Sequence, residues 1–246
     1  MAGRRTLSEA LYSHWAFAPH LLLRRVGLRA FWSSNAVLTL ISACALLLCS
    51  IADGSIVLGK HGYGFVQHPG IFGWFLMQLS VPIAIHRALR RAVGVKPLYR
   101  RLAASGSDIC FQEHLYEPLI RFVSLRSPRS RALFSLLCMI GFMGFVWNTY
   151  NNIYPEDIPR AAFWDSSDFM WGYFGTRLYK FYMDALLLPS IIHTFAGIIL
   201  CHTAYLKLLT RTRRIRILPF SSDRTGGLRF LADLILSPVI TALLAS

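Results

Sequence analysis

The run FYMDALLLPSIIHTFAGIILCHTAYL, residues 181 to 206, decides how the whole chain is read. It is apolar for long enough to cross a bilayer, since about 20 residues at a rise of 1.5 Å span a hydrocarbon core. Backbone amides in lipid must find partners within their own segment, so the run is predicted to be a helix. Yet it carries Asp184, Pro189, His193 and His202. An ionisable group inside such a helix is costly, and this marks Asp184 and His193 as candidates for function.

Three runs upstream have the same character: AFWSSNAVLTLISACALLLCSIA (30–52), FVQHPGIFGWFLMQLSVPIAI (65–85) and ALFSLLCMIGFMGFVWNTY (132–150). A fifth, FLADLILSPVITALLAS (230–246), follows the fourth. The expected fold is all-α: a polytopic helical membrane protein of four transmembrane helices plus a fifth, forming one membrane domain over 30–246 behind an N-terminal segment, 1–29. A composition of 54% hydrophobic and only 15% charged residues fits a membrane class and not an ordinary soluble one. The first and third runs contain no charge and can face lipid. Polar groups gather in the second and fourth, the second carrying His68, Pro69, Gln78 and Pro82, with His86 just beyond it.

The net charge of +14 is distributed by topology. Arg4, Arg5, Arg24, Arg25 and Arg29 precede the first run, and the connection 53–64 holds only Lys60. The loop 86–131 holds ten Lys and Arg, the loop 151–180 holds three, and Lys207, Arg211, Arg213, Arg214 and Arg216 follow the fourth run. This alternation places the N-terminus, the 86–131 loop and the 207–229 segment in the cytoplasm, with 151–180 outside. No nucleic-acid module accompanies the basic residues, so the expected partners are a bilayer with anionic headgroups and further membrane subunits, including copies of this chain. The expected location is the bacterial inner membrane, multi-pass. The Arg-rich, acid-poor N-terminus keeps the mitochondrial inner membrane as the alternative, and Arg24 and Arg25 interrupt the apolar stretch that a signal peptide would need.

Cys44, Cys49, Cys110, Cys138 and Cys201 have no paired spacing and read as small core residues. LSEALYSHWAFAPHLLL, residues 7–23, spaces Leu7, Leu11, His14/Trp15 and Ala18 as an amphipathic helix lying in the cytoplasmic interface. In the helical loop 86–131, Cys110, Glu113, His114 and Glu117 share one face. That face reads as solvated, since a metal site would draw a ligand from a second element. The outside loop combines aromatic residues with Glu156, Asp157, Asp165 and Asp168. It reads as an interfacial belt or as an acidic vestibule for cations.

Asp184 is expected about one turn inside the outer end of its span and His193 near the middle. Nine residues separate them, roughly 180° around a regular helix, so any path between the two needs a neighbour such as Gln78 or His68. His86 and His202 are expected at similar depth near the cytoplasmic ends of two spans. This is the arrangement from which helices hold a haem or a metal, although histidines at span ends also sit at headgroups without a ligand. No cofactor is expected. Zinc, phosphate-loop and nucleophile-elbow motifs are lacking, which disfavours an enzyme.

After the fourth run, RTRRIRILPFSSDRTGGLRFLADL (211–234) anchors the span at anionic lipid, stops the helix at Pro219 and reverses at Gly226 and Gly227. The same glycines with Arg224 offer backbone N–H groups and a guanidinium to a phosphate or lipid headgroup. Within it, LPFSSDRTGGLRFL (218–231) resembles a proline, aspartate, Gly-Gly-Leu pattern of multi-spanning bacterial membrane proteins, a resemblance that implies topology and no activity. Three functions remain open: a component for permeation of a small solute or cation through Asp184, His193, Gln78 and His68; a non-transporting scaffold or sensing partner; and a haem or metal protein. Permeation requires the polar groups to converge across helices, whereas a scaffold lets them scatter.

Overall fold

The computed structural model describes residues 10–58, 62–94, 118–151 and 163–211. Among these the elements are helices, joined by turns and one isolated bridge between Tyr63 and Phe163. They are α1 (Pro19–Arg25), α2 (Phe31–Ala52), α3 (Pro69–Gly94), α4 (Pro128–Asn151), α5 (Met170–Phe181) and α6 (Leu188–Arg211). A π-turn, Tyr182–Leu187, joins α5 to α6 without a break. The Cys110 to Glu117 face, the fifth run, and Arg224, Gly226 and Gly227 lie outside the described residues.

Local chemistry sets the boundaries. Both α3 and α4 begin on proline, whose missing N–H costs nothing in a first turn. α2 ends where Gly54 takes the left-handed conformation (φ +66°), with Gly54 N–H donating to Ile51 O and Ser55 N–H to Ser50 O. This paired arrangement closes the last carbonyls of a helix. The helical residues 118–123 close in the same way, but on Leu125 (φ 56°), a conformation that strains a leucine. Pro189 accounts for the π-turn. A proline ring collides with the carbonyl four residues back and offers no N–H to it, and here the preceding turn widens instead of breaking.

Three helices are long and apolar enough to cross a membrane: Phe31–Ala52, Pro128–Thr149 and the continuous Met170–Leu200. The second run does form a helix, α3, but Gln78, Pro82 and His86 dilute its apolar body and Arg87, Arg90 and Arg91 occupy its last turns, so it is not among the three. The long α5–α6 rod is central, packed by α2, α3 and α4. Half of its membrane-length window is buried (50%), against 6% for α4, whose Met139, Ile140, Met143 and Trp147 point outward.

Two boundaries differ from expectation. The fourth-run helix begins at Met170, not 181, so the last part of the supposed outside loop is helical and Asp184 falls near the midpoint of Met170–Leu200. The Asp53 carboxylate, at the end of α2, accepts from Gly172 N–H in the first turn of α5 and holds this early start in place. The N-terminal segment is also not a helix lying on a surface. Pro19 divides it into a 3-10 turn, Trp15–Phe17, and α1. Leu11, His14, Ala16, Phe17 and His20 are buried in the bundle, while Trp15 and Leu22 stay exposed.

Candidate functional site

The polar residues of the central rod sort into three neighbourhoods. The first is a cleft of about 230 Å³ lined by Trp74 and Met77 of α3, Asn148 of α4, Lys180 of α5, and Met183 and Asp184 of the π-turn. Lys180 and Asp184 stand one turn apart and attract each other. The Lys180 ammonium rests over the Trp74 indole, 4.9 Å from the ring centroid, a favourable seat for a cation on a π face. The cleft exists because α3 and α4 each pack on the rod. At Gly141 of α4 the Asp184 carbonyl approaches so closely that a β-carbon would overlap it. The widened turn thus presses its backbone on α4 while Asp184 lines the cleft.

Towards the α5 start, His68 lies 6.3 Å from Trp74 and 5.7 Å from Phe163, ring to ring. The buried Asp165 carboxylate acts electrostatically on both His68 and Lys180. Of the acidic residues expected in an outside loop, Asp165 is therefore buried beside Lys180 and not displayed at a vestibule.

The second neighbourhood is a seam through α2, α3 and α5. Gln78, fully buried, accepts from Tyr179 Oη (2.8 Å) and donates to Ser42 Oγ (3.2 Å). Asn35 Nδ2 donates to the carbonyls of Gln78 (3.0 Å) and Leu79 (2.9 Å). The reason is four residues away: Pro82 has no N–H for the Gln78 carbonyl, and the asparagine of the neighbouring helix supplies one.

The third is a sealed string. His193 Nε2 lies 2.9 Å from Ser130 Oγ, which donates to Phe122 O at 2.6 Å. On its other side His193 Nδ1 lies 2.9 Å from His14 Nε2, and His14 Nδ1 is 3.3 Å from Leu11 O. His14, His193 and Ser130 have no exposed surface. Phe122 stacks on His193 (4.7 Å, 6°) and Phe134 meets both imidazoles edge-on. Burial, and then the neighbouring His193 ring, push His14 down to about 3. Serine, histidine and histidine in line resemble a charge relay, but Ser130 has already given its proton to a carbonyl and aromatic rings close the site, so no substrate reaches the hydroxyl.

Asp184 and His193 are therefore not brought together. His193 is level with the first turn of α4, near an end of the bundle and not mid-span, and Gln78 engages Tyr179, Asn35 and Ser42 instead of linking the two. His86 stacks on Phe31 (4.6 Å, 14°), which also stacks on His20 (4.8 Å, 15°). His202 lies in α6, its side chain outside the described residues. Among the described residues no three His, Cys, Asp or Glu side chains form a metal-holding group. Lys180, His14 and Ser130, with Asn148, Trp74, Tyr179, Asn35 and Ser42, are participants that sequence reasoning missed. Lys180 lies at the edge of an apolar run, where its charge marks a boundary as readily as a site. His14 and Ser130 gain meaning only from a partner more than 60 residues away. Comparison with known protein families, curated proteins and solved structures finds no match for this chain.

Proposed function

We infer that this protein is a membrane-embedded component for permeation of a small charged solute, with the Lys180–Asp184 cleft as its site. The observation that carries the reading is the meeting of Lys180 and Asp184 of the central rod with Asn148 of α4, walled by Trp74 and Met77 of α3, near the midpoint of a membrane-length helix. A single carboxylate at that depth costs about 2.5–3.5 kcal/mol on insertion scales, so a mid-span Asp and Lys lining an open cleft are better accounted for by a wet path than by packing. The π-turn and Pro189 supply the irregular backbone that lines such paths.

In this reading α3 is the fourth membrane helix. The N-terminus and the arginine-rich end lie in the cytoplasm of a bacterial cell, across its inner membrane. Function then divides between the neighbourhoods. Purified protein in liposomes, assayed for flux with and without a pH gradient, tests the division. Asp184→Asn is expected to accumulate normally and lose at least roughly tenfold in flux, the loss of one charge-assisted contact. His193→Gln is expected to lower protein level instead, because it cuts a buried string. Unchanged flux in an Asp184→Asn protein that folds removes the reading and leaves the scaffold.

A further inference from the structure

We propose that the cleft is a receptor for a small zwitterion of the α-amino acid type, its ammonium on Asp184 and its carboxylate on Lys180. This rests on the cleft's being a solute site. The lining has one carboxylate, one ammonium, one carboxamide (Asn148) and three apolar or polarizable walls (Trp74, Met77, Met183). Lys180 also feels the buried Asp165 carboxylate and Arg177, so the surroundings are mixed in charge: a simple cation meets positive charge at Lys180, and a simple anion meets negative charge at Asp184. A solute carrying both charges on one short body is attracted by both groups and leaves neither charge facing lipid.

The lining fits such a solute in position, size and wall chemistry. The lysine is stationed on the Trp74 indole, which fixes the positive pole, while Asp184 stands one helical turn away as the negative pole. Asn148, on a third helix, hydrogen-bonds the Asp184 carboxylate and holds the negative pole in place, and its carboxamide oxygen is left to accept. The volume, about 230 Å³, is below the roughly 300–1,000 Å³ of pockets for drug-sized ligands, so the occupant is small. Flexible methionine walls suit an apolar side chain of variable shape. Zwitterionic lipid headgroups carry the same charges, but they sit at the bilayer surface, whereas Asp184 is near mid-span.

The test uses the full chain in nanodiscs and radiolabelled L-leucine as probe, displaced by L-leucinamide, which lacks the carboxylate, and by N-acetyl-L-leucine, which lacks the ammonium. Leucine is expected to bind, and each derivative to bind at least roughly tenfold more weakly. Lys180→Gln is expected to abolish the preference over the amide, and Asp184→Asn the preference over the N-acetyl compound. Nanodiscs with phosphatidylethanolamine in place of part of the phosphatidylglycerol are expected to leave leucine binding unchanged; strong competition there assigns the cleft to a headgroup and overturns the proposal. Equal binding of all three probes, or no leucine binding at millimolar concentration, overturns it without any variant's having to fold. Leucine binding with this charge rule but no leucine flux removes the permeation reading and keeps the site. Flux of a simple ion without leucine binding does the reverse.

Discussion

At the scale of single residues, the molecule compensates its own irregularities. Pro82 deprives the Gln78 carbonyl of a donor, and Asn35 on α2 repairs it. Asn35→Leu keeps the size and deletes the donor, so it is expected to destabilise the bundle by about 1–2 kcal/mol. Pro82→Ala restores the helical N–H and is expected to relieve most of that loss in the double variant. Unfolding midpoints of the four proteins in detergent check this, and simple additivity sinks the account. Neither partner was legible as a pair. Pro82 and Gln78 were visible as polar interruptions of an apolar run, but Asn35 sits among serines near the start of the first run, where nothing in the spacing ties it to a proline 47 positions on. Asp184 was legible as a candidate because its charge stands out against its neighbours. Its environment was not, because the sequence does not show which helices face it.

Among the elements, two depart from what periodicity predicts. A regular helix would set Asp184 and His193 on opposite faces, but the π-turn takes an extra residue into one turn and shifts that phase, and the proline that causes it is readable in the sequence only as an interruption. The apolar spacing of the N-terminal segment predicts a helix on a surface; the same spacing serves burial, and the deciding fact is that His14 finds a partner inside. Burial drives His14 down to about 3 and His20, packed against Phe31 and Phe17, down to about 4. Both imidazoles are neutral when docked and take up protons when released. Docking is therefore complete above pH 6.5 and weakens as pH falls, by about 1.4 kcal/mol per pH unit for each histidine, until the docked values are reached. Maleimide labelling of Ala16→Cys, a position fully buried here, is expected to accelerate from pH 7 to pH 5. A rate that follows only the thiolate fraction, falling with pH, contradicts this.

For the whole molecule, the runs of apolar sequence announced the all-helical architecture, and three of them are membrane-length helices. The arginines add a direction. Arg24, Arg25, Arg29, Arg87, Arg129 and Arg131 cluster by sequence around the start of α2, the end of α3 and the start of α4, which antiparallel packing brings to one end. Alkaline phosphatase fused after Ser55 is expected to be active, and fused after Arg126 inactive; the opposite pattern inverts the topology. At that arginine-rich end the string from Leu11 to Phe122 ties together three stretches of chain far apart in sequence. Its proton inventory is unequal to its contacts. Two neutral imidazoles and one hydroxyl own three mobile hydrogens, while four gaps, bounded at each end by a carbonyl that can only accept, each call for one. One gap must stay empty, and with Ser130 pointed at Phe122 it is the longest, 3.3 Å, beside Leu11. The neutral string thus has a polarity, all three hydrogens aimed towards Phe122, and reversing it requires all three groups to switch together, moving the vacancy from the N-terminal segment to the foot of α4.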